Sequence, residues 1–434
     1  MIAKIFSENK KNLNNNESFI HLFAYILGSV SFMFTIFNRM NIAVLTPYIV
    51  EIFQVTSSSL GFLSGLYFYI YSFSQPFVGV LVDKLKPRKM LALSILIISL
   101  GTFTFAFAPN IIYIYLGRFL IGVGSSGIFI PVNWIINKYF PFEKRGFLIF
   151  FLQFLGNFGS ILAAGPFAGL IRLLGWEKSL SAVGIIALML GIFVWMVVRD
   201  ESKNAPEGHL QKEELLSEEK MSWVSIIKSV FGMRIMKYCL LSGIPYAAMM
   251  SFQGLWVVSY LIDIYQYDKS TASSLVTLIP TGFVVGLLIF SKLSDKSYGK
   301  YIFLGANTFV TFEYLFFAFF TDRIPVNSLA VILFLYGFTH GTTPFILKVY
   351  TLILPKKYFG TALGAVNIIP FFTTALYQPF TGLLFDIFGG SSVLSRSASS
   401  YRIYFLFSAF TLMIAVWAIY NITMILKKDY AGKI

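Results

Sequence analysis

Long apolar stretches recur from near the start of the chain to near its end. A helix that crosses a bilayer needs about 20 mostly apolar residues, and twelve stretches of the 434-residue chain meet that requirement. Only 12% of the residues are charged, well below the share in soluble domains. The pattern predicts an all-α membrane protein with twelve transmembrane helices. The predicted helices lie near 22–50, 59–82, 89–108, 111–137, 146–171, 179–198, 236–262, 270–291, 301–320, 327–350, 359–385 and 402–426.

Several classes of protein are excluded by the composition. Cys239 is the only cysteine, which excludes a disulfide framework and a multi-cysteine metal site. The sequence has no Walker-type phosphate loop, so ATP is not the expected energy source. We therefore predict no catalytic residues, no metal and no cofactor. The net charge of +14 is explained by basic loops that orient a membrane protein, and no nucleic-acid partner is expected.

One long polar segment, residues 199–220, separates six predicted helices from six. Its charges cannot lie in hydrocarbon, so it is an aqueous linker. Most of the Lys and Arg residues lie on the side of this linker and of both termini, which predicts that both termini are cytoplasmic. We expect a multi-pass protein of the plasma membrane, the inner membrane in a bacterium. The predicted units are an N-terminal six-helix bundle, a linker and a C-terminal six-helix bundle at 1–198, 199–235 and 236–434.

The two halves repeat a short loop. Gly79-Val-Leu-Val-Asp-Lys follows the second predicted helix, and Ser291-Lys-Leu-Ser-Asp-Lys follows the eighth, 212 residues later. Two six-helix halves with matching loops are typical of secondary transporters built from parallel repeats. The sequence therefore predicts two pseudo-symmetric halves that rock against each other around a central site.

The first of these loops, continued by the basic residues through Arg88, resembles the signature of the major facilitator superfamily. Gly117-Arg118-Phe-Leu-Ile-Gly in helix 4 is similar to a second motif of that family. The resemblance covers nearly the whole chain and implies the twelve-helix fold, alternating access and a monomer. The family usually has Gly where this chain has Lys86, which predicts a different turn there. The resemblance also implies gating residues, although their charges would equally fix topology: Gly79, Asp83, Lys84, Arg88 and Asp295.

Helix 1 contains Asn38-Arg39-Met40-Asn41, which resembles the organic anion symporter branch of the family. The resemblance implies that Arg39 binds the acidic group of a solute. A charge at this depth costs at least about 2.5–3.5 kcal/mol, so it must face a polar cavity or a partner. Its planar guanidinium suits a carboxylate or phosphate. The alternative is an arginine paired with backbone carbonyls or a helix end. The predicted solute-binding residues are Arg39, Asn38, Asn41, Tyr67, Tyr71, Asn133, Gln253, Trp256, His340 and Asn367.

Three titratable residues inside predicted helices are candidates for proton coupling: Arg118, His340 and Glu313. The resemblance links the helix-4 arginine to proton movement, and a structural arginine is the alternative. His340 has an imidazole that suits a proton switch, although a lone histidine is more often a packing group. Glu313 lies in a helix that the resemblance places at the periphery. This position favours a structural pairing with another side chain over a role in proton coupling.

These observations predict a secondary transporter that moves a small organic solute by alternating access. The intramembrane charge is mostly positive, which favours an anionic solute such as a carboxylate or sugar acid. Its partners would be the solute, the lipid bilayer, and either protons or a counter-transported anion. The first alternative is a proton-driven exporter of amphipathic compounds, because Gly165-Pro166 resembles an exporter signature. A second alternative is a sensor or scaffold that binds solute without transport.

Overall fold

The computed structural model describes residues 15–198, 223–294, 296, 298–355, 359–389 and 395–429. Here the N-terminal half means residues 15–198, and the C-terminal half means the described residues from 223 onward. The N-terminal half contains α1 (Asn15–Met40), α2 (Ile42–Phe53), α3 (Ser57–Ala106), α4 (Ile111–Ser126), α5 (Phe129–Tyr139), α6 (Phe142–Leu162), α7 (Gly165–Leu174) and α8 (Trp176–Val197).

The C-terminal half is also helical. It contains α9 (Trp223–Phe231), α10 (Met236–Leu241), α11 (Ile244–Ser251), a π-helical turn (Phe252–Trp256), α12 (Val257–Tyr265), α13 (Lys269–Val276), α14 (Leu278–Ser294), α15 (Gly299–Phe319), α16 (Val326–His340), α17 (Thr343–Ile353), α18 (Phe359–Phe388) and α19 (Ala398–Asp429). Most of the predicted linker lies outside the described residues, which resume at Trp223.

Each of the twelve predicted stretches lies on helix, and eleven described segments are long and apolar enough to cross a membrane. The all-α membrane fold is therefore confirmed. The stretch predicted at 59–82 is the first part of α3, which continues beyond a kink at Lys86. Lys86 has φ 63° and ψ 158°, a conformation that glycine adopts far more easily than lysine. Lys86 thus adopts a backbone conformation that favours glycine.

The predicted helices 1, 4, 5, 7, 8 and 10 are interrupted within the described residues. Each consists of shorter helical segments, and helix 1 is interrupted at Asn41, between α1 and α2. Broken helices are tolerated at membrane depth only where neighbouring groups satisfy the freed backbone atoms. At the breaks in helices 1, 4 and 5, side chains from elsewhere in the chain bond to the backbone, those of Arg118, Ser94 and Thr277 respectively.

Glycine pairs set the close approach of helices inside the N-terminal half. A methyl group added at Gly101 of α3 would lie 2.8 Å from the carbonyl oxygen of Gly117 in α4. The reciprocal methyl group at Gly117 would lie 2.7 Å from the carbonyl oxygen of Gly101. Small residues of this kind allow membrane helices to pack backbone against backbone. The glycines of the helix-4 motif therefore have a packing role.

The N-terminal and C-terminal halves touch at one end of the molecule. A methyl group at Gly61 in α3 would clash with the backbone of α18 at Gln378, and one at Gly382 would clash with Ser57. Shortly before the Lys86 kink of α3 and near the start of α18, methyl groups at Gly79 and Gly364 would meet no atom of the described residues within 4 Å. We call the first end, opposite the start of α1 and the end of α19, the closed end.

Candidate functional site

Arg39 lies in the last turn of α1 and is only 5% exposed. Its Nη1 donates to the hydroxyl of Tyr246 at 3.2 Å, and its Nη2 donates to the hydroxyl of Tyr67 at 3.5 Å. Tyr67 belongs to α3 and Tyr246 to α11, so the guanidinium joins the two halves of the chain. These contacts bring together Arg39 and Tyr67, two of the predicted solute-binding residues.

Aromatic rings surround the Arg39 guanidinium. Its Cζ lies 5.0 Å from the ring centre of Phe371 and 5.4 Å from those of Tyr67 and Tyr71. Ring faces stabilise a cation at these distances without neutralising it. Within the described part of the chain Arg39 has no ion pair, and its Nε is buried without a hydrogen-bond acceptor. The Arg39 guanidinium is therefore a buried cation that can donate a further hydrogen bond. We define the Arg39 cage as this guanidinium with the side chains of Tyr67, Tyr71, Tyr246 and Phe371.

Arg118 explains the break in helix 1. It is buried in α4, and its Nη1 donates to the backbone oxygen of Asn38 at 2.5 Å. Its Nη2 reaches the backbone oxygen of Arg39 at 3.4 Å. A cation at the carboxyl end of a helix satisfies free carbonyls and opposes the negative end of the helix dipole. Arg118 thus stabilises the end of α1 at the residue that carries the cage guanidinium.

Two predicted amides lie beside this break. Asn38 and Gln253 are buried, and the side-chain oxygen of each lacks a hydrogen-bond donor among the described residues. Gln253 belongs to the π-helical turn, and such turns are frequent at functional sites. Met40, Ala43 and Gln253 line one small cavity. Each of these buried oxygens therefore has capacity for a further hydrogen bond that the described residues do not supply.

Four other predicted solute-binding residues are not among the described contacts of the Arg39 guanidinium. Trp256 donates from Nε1 to Thr381 at 3.0 Å, at the closed end. Asn133 donates to the backbone of its own helix at Phe129. Asn41 is buried at the break in helix 1, and Asn367 is half-buried on α18. The contacts of these four residues give no support to a place in the Arg39 cage.

His340 and Glu313 belong to a separate cluster in the C-terminal half. The His340 ring packs 4.4 Å from the ring of Tyr336, and its Nδ1 lies 2.7 Å from that residue's backbone oxygen. Glu313 accepts a hydrogen bond from Thr339 at 2.8 Å. Tyr314 and Tyr336 share a hydrogen bond of 2.8 Å between their hydroxyls. Glu313 thus bonds to the residue that precedes His340 in the chain, and neither titratable group is among the described cage contacts.

The predicted gating loop is described only in part. Arg88 donates from Nε to the backbone oxygen of Trp195 at 2.8 Å, and its guanidinium lies 4.7 Å from that ring. This contact is within the N-terminal half. Gly79 is half-buried and Lys84 is exposed. Asp295 and the side chain of Asp83 lie outside the described residues.

A polar cluster that the sequence did not reveal connects the halves at the closed end. Asp386, in the last turn of α18, accepts hydrogen bonds from the backbone amides of Ser57 at 2.8 Å and Ser58 at 2.9 Å. Its carboxylate also contacts the Ser58 hydroxyl. These amides are the free donors at the start of α3, where a negative charge is stabilised by the helix dipole. Asp386 therefore caps a helix of the opposite half.

Arg396 extends this cluster. Its Nε donates to the Ser57 hydroxyl at 3.0 Å, and its Nη1 lies 3.5 Å from the Asp263 carboxylate. Both charged side chains are only 5% exposed. The guanidinium also lies 4.8 Å from the ring centre of Trp256. We define the closed-end cluster as Ser57, Asp263, Asp386 and Arg396.

Two further contacts cross between the halves at the same end. Lys269, at the start of α13, forms a salt bridge with Glu51 of α2. The amide of Gly165 donates to the Thr277 hydroxyl at 2.9 Å. The sequence shows charges and turn residues at these helix ends. It does not show which of them pair, because each contact joins residues more than 100 positions apart.

Residues 28–369 match the Major Facilitator Superfamily. The chain belongs to this family of membrane transporters, and it is a multi-pass transporter rather than an enzyme. The resemblance of its loops and helices to the family is thereby confirmed.

Relatives of known name align along much of the chain. The uncharacterized transporter YybO of Bacillus subtilis is 23% identical, over 88% of this chain and 88% of its own length. The probable sulfoacetate transporter SauU of Cupriavidus necator is 24% identical, over 79% of this chain and 82% of its own length. The hexuronate transporter of Bacillus subtilis is 22% identical, over 64% of each chain.

Solved transporters share the fold. A bacterial homologue of the human lysosomal transporter Spinster, solved in an inward-facing and unoccupied conformation, superimposes with a TM-score of 0.74 at 17% identity. The match covers 94% of this chain and 98% of that chain. At this identity the likeness establishes the architecture and nothing about the solute.

Proposed function

We propose that the protein is a secondary transporter of small organic anions and that Arg39 binds the acidic group. The observation that carries the proposal is the Arg39 cage, a buried guanidinium held by two phenols and aromatic rings. A buried charge is costly unless it is paired. An anionic solute supplies the missing partner and accepts the planar pair of donors that arginine presents.

The solute class follows from the charge inside the membrane. One guanidinium faces the cage, while that of Arg118 is engaged by backbone carbonyls. A single cation suits one carboxylate or sulfonate better than a doubly charged phosphate ester. The unsatisfied oxygens of Asn38 and Gln253 would accept from solute hydroxyls. A relative named as a hexuronate transporter supports a singly charged acid, and a relative named as a probable sulfoacetate transporter supports organic acids more broadly.

The position of the cage supports alternating access. Arg39 bonds to Tyr67 in one half and Tyr246 in the other, so a solute that replaces these phenols would act on both halves. With the termini on the cytoplasmic side, the closed end is extracellular and the structure is inward-facing. Cycling then requires the closed-end cluster to open and the segment of α3 around Gly79 to meet the start of α18 around Gly364.

Coupling to protons is proposed for the cluster of Glu313 and His340 rather than for Arg118. Glu313 is an intramembrane carboxylate whose described partner is the Thr339 hydroxyl. His340 has a buried Nε2 without a partner among the described residues. Groups of this kind mark proton relays in transporters. Arg118, by contrast, holds backbone carbonyls and stays charged at any physiological pH.

The test is uptake into liposomes that contain the purified protein. Radiolabelled sulfoacetate and D-glucuronate serve as acidic solutes, and D-glucose serves as a neutral solute of similar size. We expect saturable uptake of at least one acid and none of D-glucose, with Arg39→Gln abolishing the uptake. Active transport of lipophilic cations that is equal in parent and variant would favour the exporter. Binding of an acid without flux would favour a sensor.

A further inference from the structure

Phe371 lies on the boundary between the two halves, where the packing of α3 against α18 changes. The backbones of these helices touch near the closed end, as at Gly61. Further from the closed end, the ring centres of Tyr71 and Phe371 lie 4.6 Å apart. Further still, methyl groups at Gly79 and Gly364 would meet no atom of the described residues within 4 Å. Phe371 therefore lies at the transition from the packed part of this boundary to its unpacked part.

The Phe371 ring covers the Arg39 guanidinium from the other half of the chain. Its centre lies 5.0 Å from the Cζ of Arg39, closer than the three ring centres that α3 contributes, which lie 5.4 to 5.9 Å away. The ring also packs on Tyr71 of α3 and on Tyr246 of α11, with centres 4.6 and 5.8 Å away. With this ring in place, Arg39 is only 5% exposed. The burial of the guanidinium therefore depends on a side chain of the opposite half.

The helix that carries Phe371 is weakened directly before it. Pro370 lies inside α18 and has no N–H, so the carbonyl of Val366 loses its helical hydrogen bond. Sharp bends in long helices occur mostly at such prolines. The side of α18 at Gly364 meets no described atom within 4 Å, which leaves room for a bend. A bend at Pro370 would change the direction in which the Phe371 side chain points.

We propose that Phe371 is a gate between the Arg39 cage and the unpacked part of the boundary. Its ring must leave Arg39 before an acid can reach the guanidinium. A cation–π contact is weaker than the pair of charged hydrogen bonds that an acid forms, so the acid takes the place of the ring. The passage of a solute through this gate rests on the proposed function, whereas the cover that Phe371 gives to Arg39 does not.

The test measures the rate at which Arg39 reacts with phenylglyoxal, a neutral dicarbonyl reagent that modifies accessible guanidinium groups. The full-length protein is labelled in detergent and its peptides are quantified by mass spectrometry. The exposed Arg323 serves as the reference in the same digest. The variants are Phe371→Ala and Phe371→Leu, the second of which keeps apolar bulk without a ring.

The matched control is Phe372→Ala, at the next position of the same helix. The Phe372 ring also contacts α3, at Tyr69 and Phe73 with centres 6.4 and 6.2 Å away, but it is not among the described contacts of Arg39. This control removes an aromatic contact between the halves and leaves the cage covered. Equal elution volumes and helicity show that a variant is folded, and Phe371→Leu serves as the test variant if Phe371→Ala is not.

We expect Arg39 to react slowly in the parent and at least about threefold faster in Phe371→Ala, as for the loss of one cation–π contact. Phe371→Leu should lie between them, and Phe372→Ala should match the parent. Equal rates in all four proteins, or the same acceleration in Phe372→Ala, would overturn the gate. An Arg39 that never reacts in the parent while it reacts fully in Phe371→Ala would make the ring a fixed cover, which would also overturn the gate.

A second arm separates this proposal from the proposed function. Labelling is repeated with sulfoacetate, D-glucuronate and D-glucose, and a bound acid should protect Arg39 in the parent and in Phe371→Ala. Acceleration in Phe371→Ala without protection by any acid would remove the anion site and leave the gating of Arg39 in place. Protection by an acid with no acceleration in Phe371→Ala would support the anion site and overturn the gate.

Discussion

The carboxylate of Asp386 accepts a hydrogen bond from the backbone amide of Ser57 at 2.8 Å. The end of α18 therefore caps the start of α3, a helix of the other half. In the proposed transport cycle this contact breaks when the closed end opens. A charge at an exposed helix start contributes about 0.3–1 kcal/mol. The proposal therefore predicts that Asp386 favours the state in which this end is closed.

Asp386→Asn should shift this equilibrium toward the state that is open at the closed end, by about two- to fivefold. The amide still accepts a hydrogen bond but no longer carries the charge that the helix dipole stabilises. Spin labels at Ile52→Cys and Thr271→Cys, in a Cys239→Ala background, report the separation of the halves by electron–electron resonance. The control is Asp322→Asn, which removes a carboxylate paired with Arg402 inside the C-terminal half. An equal shift in the control would contradict the capping role.

Asp263 and Arg396 form a buried ion pair, and removing one partner leaves the other charge uncompensated. Such losses cost about 3–5 kcal/mol. We expect Asp263→Asn and Arg396→Gln each to lower thermal stability markedly, and the double variant to be no less stable than either single variant. Strictly additive losses in this double-mutant cycle would show that the two side chains do not act as a pair.

Lys86→Gly should stabilise the protein by about 1 kcal/mol, because φ 63° with ψ 158° strains a lysine but not a glycine. Thermal unfolding in detergent measures the change. Lys84→Gly is the matched control, because Lys84 is an exposed lysine in helical conformation two residues earlier. There glycine should destabilise by up to about 1 kcal/mol. The same sign of change at both positions would be inconsistent with strain at Lys86.

Asp268 precedes α13 and accepts hydrogen bonds from the amides of Ser270 at 2.9 Å and Thr271 at 3.1 Å. Bonding from the Thr271 side chain, and then from backbone amides, lowers the pKa of the Asp268 carboxyl. A carboxyl whose folded pKa is below its unfolded value adds stability above that unfolded value, and the contribution is lost as pH falls through the folded pKa. Thermal stability should therefore fall below about pH 4, and Asp268→Ala should weaken that dependence. A stability profile with the same acid limb in parent and variant would exclude this cap as its cause.

The fold was largely predictable, because each crossing of the membrane requires a long apolar segment. The repeat extends further than the loops that first showed it. Gln54 and Gln266 are 212 residues apart, and both end their helices in the left-handed conformation with φ 49° and 56°. Thr56 and Asp268, at the same spacing, are the caps of the helices that follow.

The breaks in the helices were not predictable from hydropathy. Helix 1 ends and restarts at Asn41 because Arg118, on another helix, takes the carbonyls of Asn38 and Arg39. The spacing of apolar residues does not depend on such a contact and therefore cannot predict it. The indication that the sequence did offer was the presence of an intramembrane arginine in each of helices 1 and 4, because such a charge needs polar partners.

The Arg39 cage was predictable in part. The depth of Arg39 and the spacing of Tyr67 and Tyr71 marked one side of it. Tyr246 and Phe371, which complete the cage, come from the other half and are two aromatic residues among many in that sequence. The closed-end cluster was missed for the same reason, since Asp386 and Arg396 looked like ordinary charges at helix ends.

The measurement that tests the central claim most directly is anion binding to the parent protein and to Arg39→Gln. Thermal unfolding is followed with sulfoacetate, D-glucuronate and D-glucose, and Arg323→Gln is the control because it removes an exposed arginine. We predict that an acid stabilises the parent and the control, and that Arg39→Gln binds it at least tenfold more weakly, as expected for loss of a charged hydrogen bond. D-glucose should have no effect on any of them. Equal stabilisation of the parent and Arg39→Gln by the acid would contradict the assignment of Arg39 as the anion site.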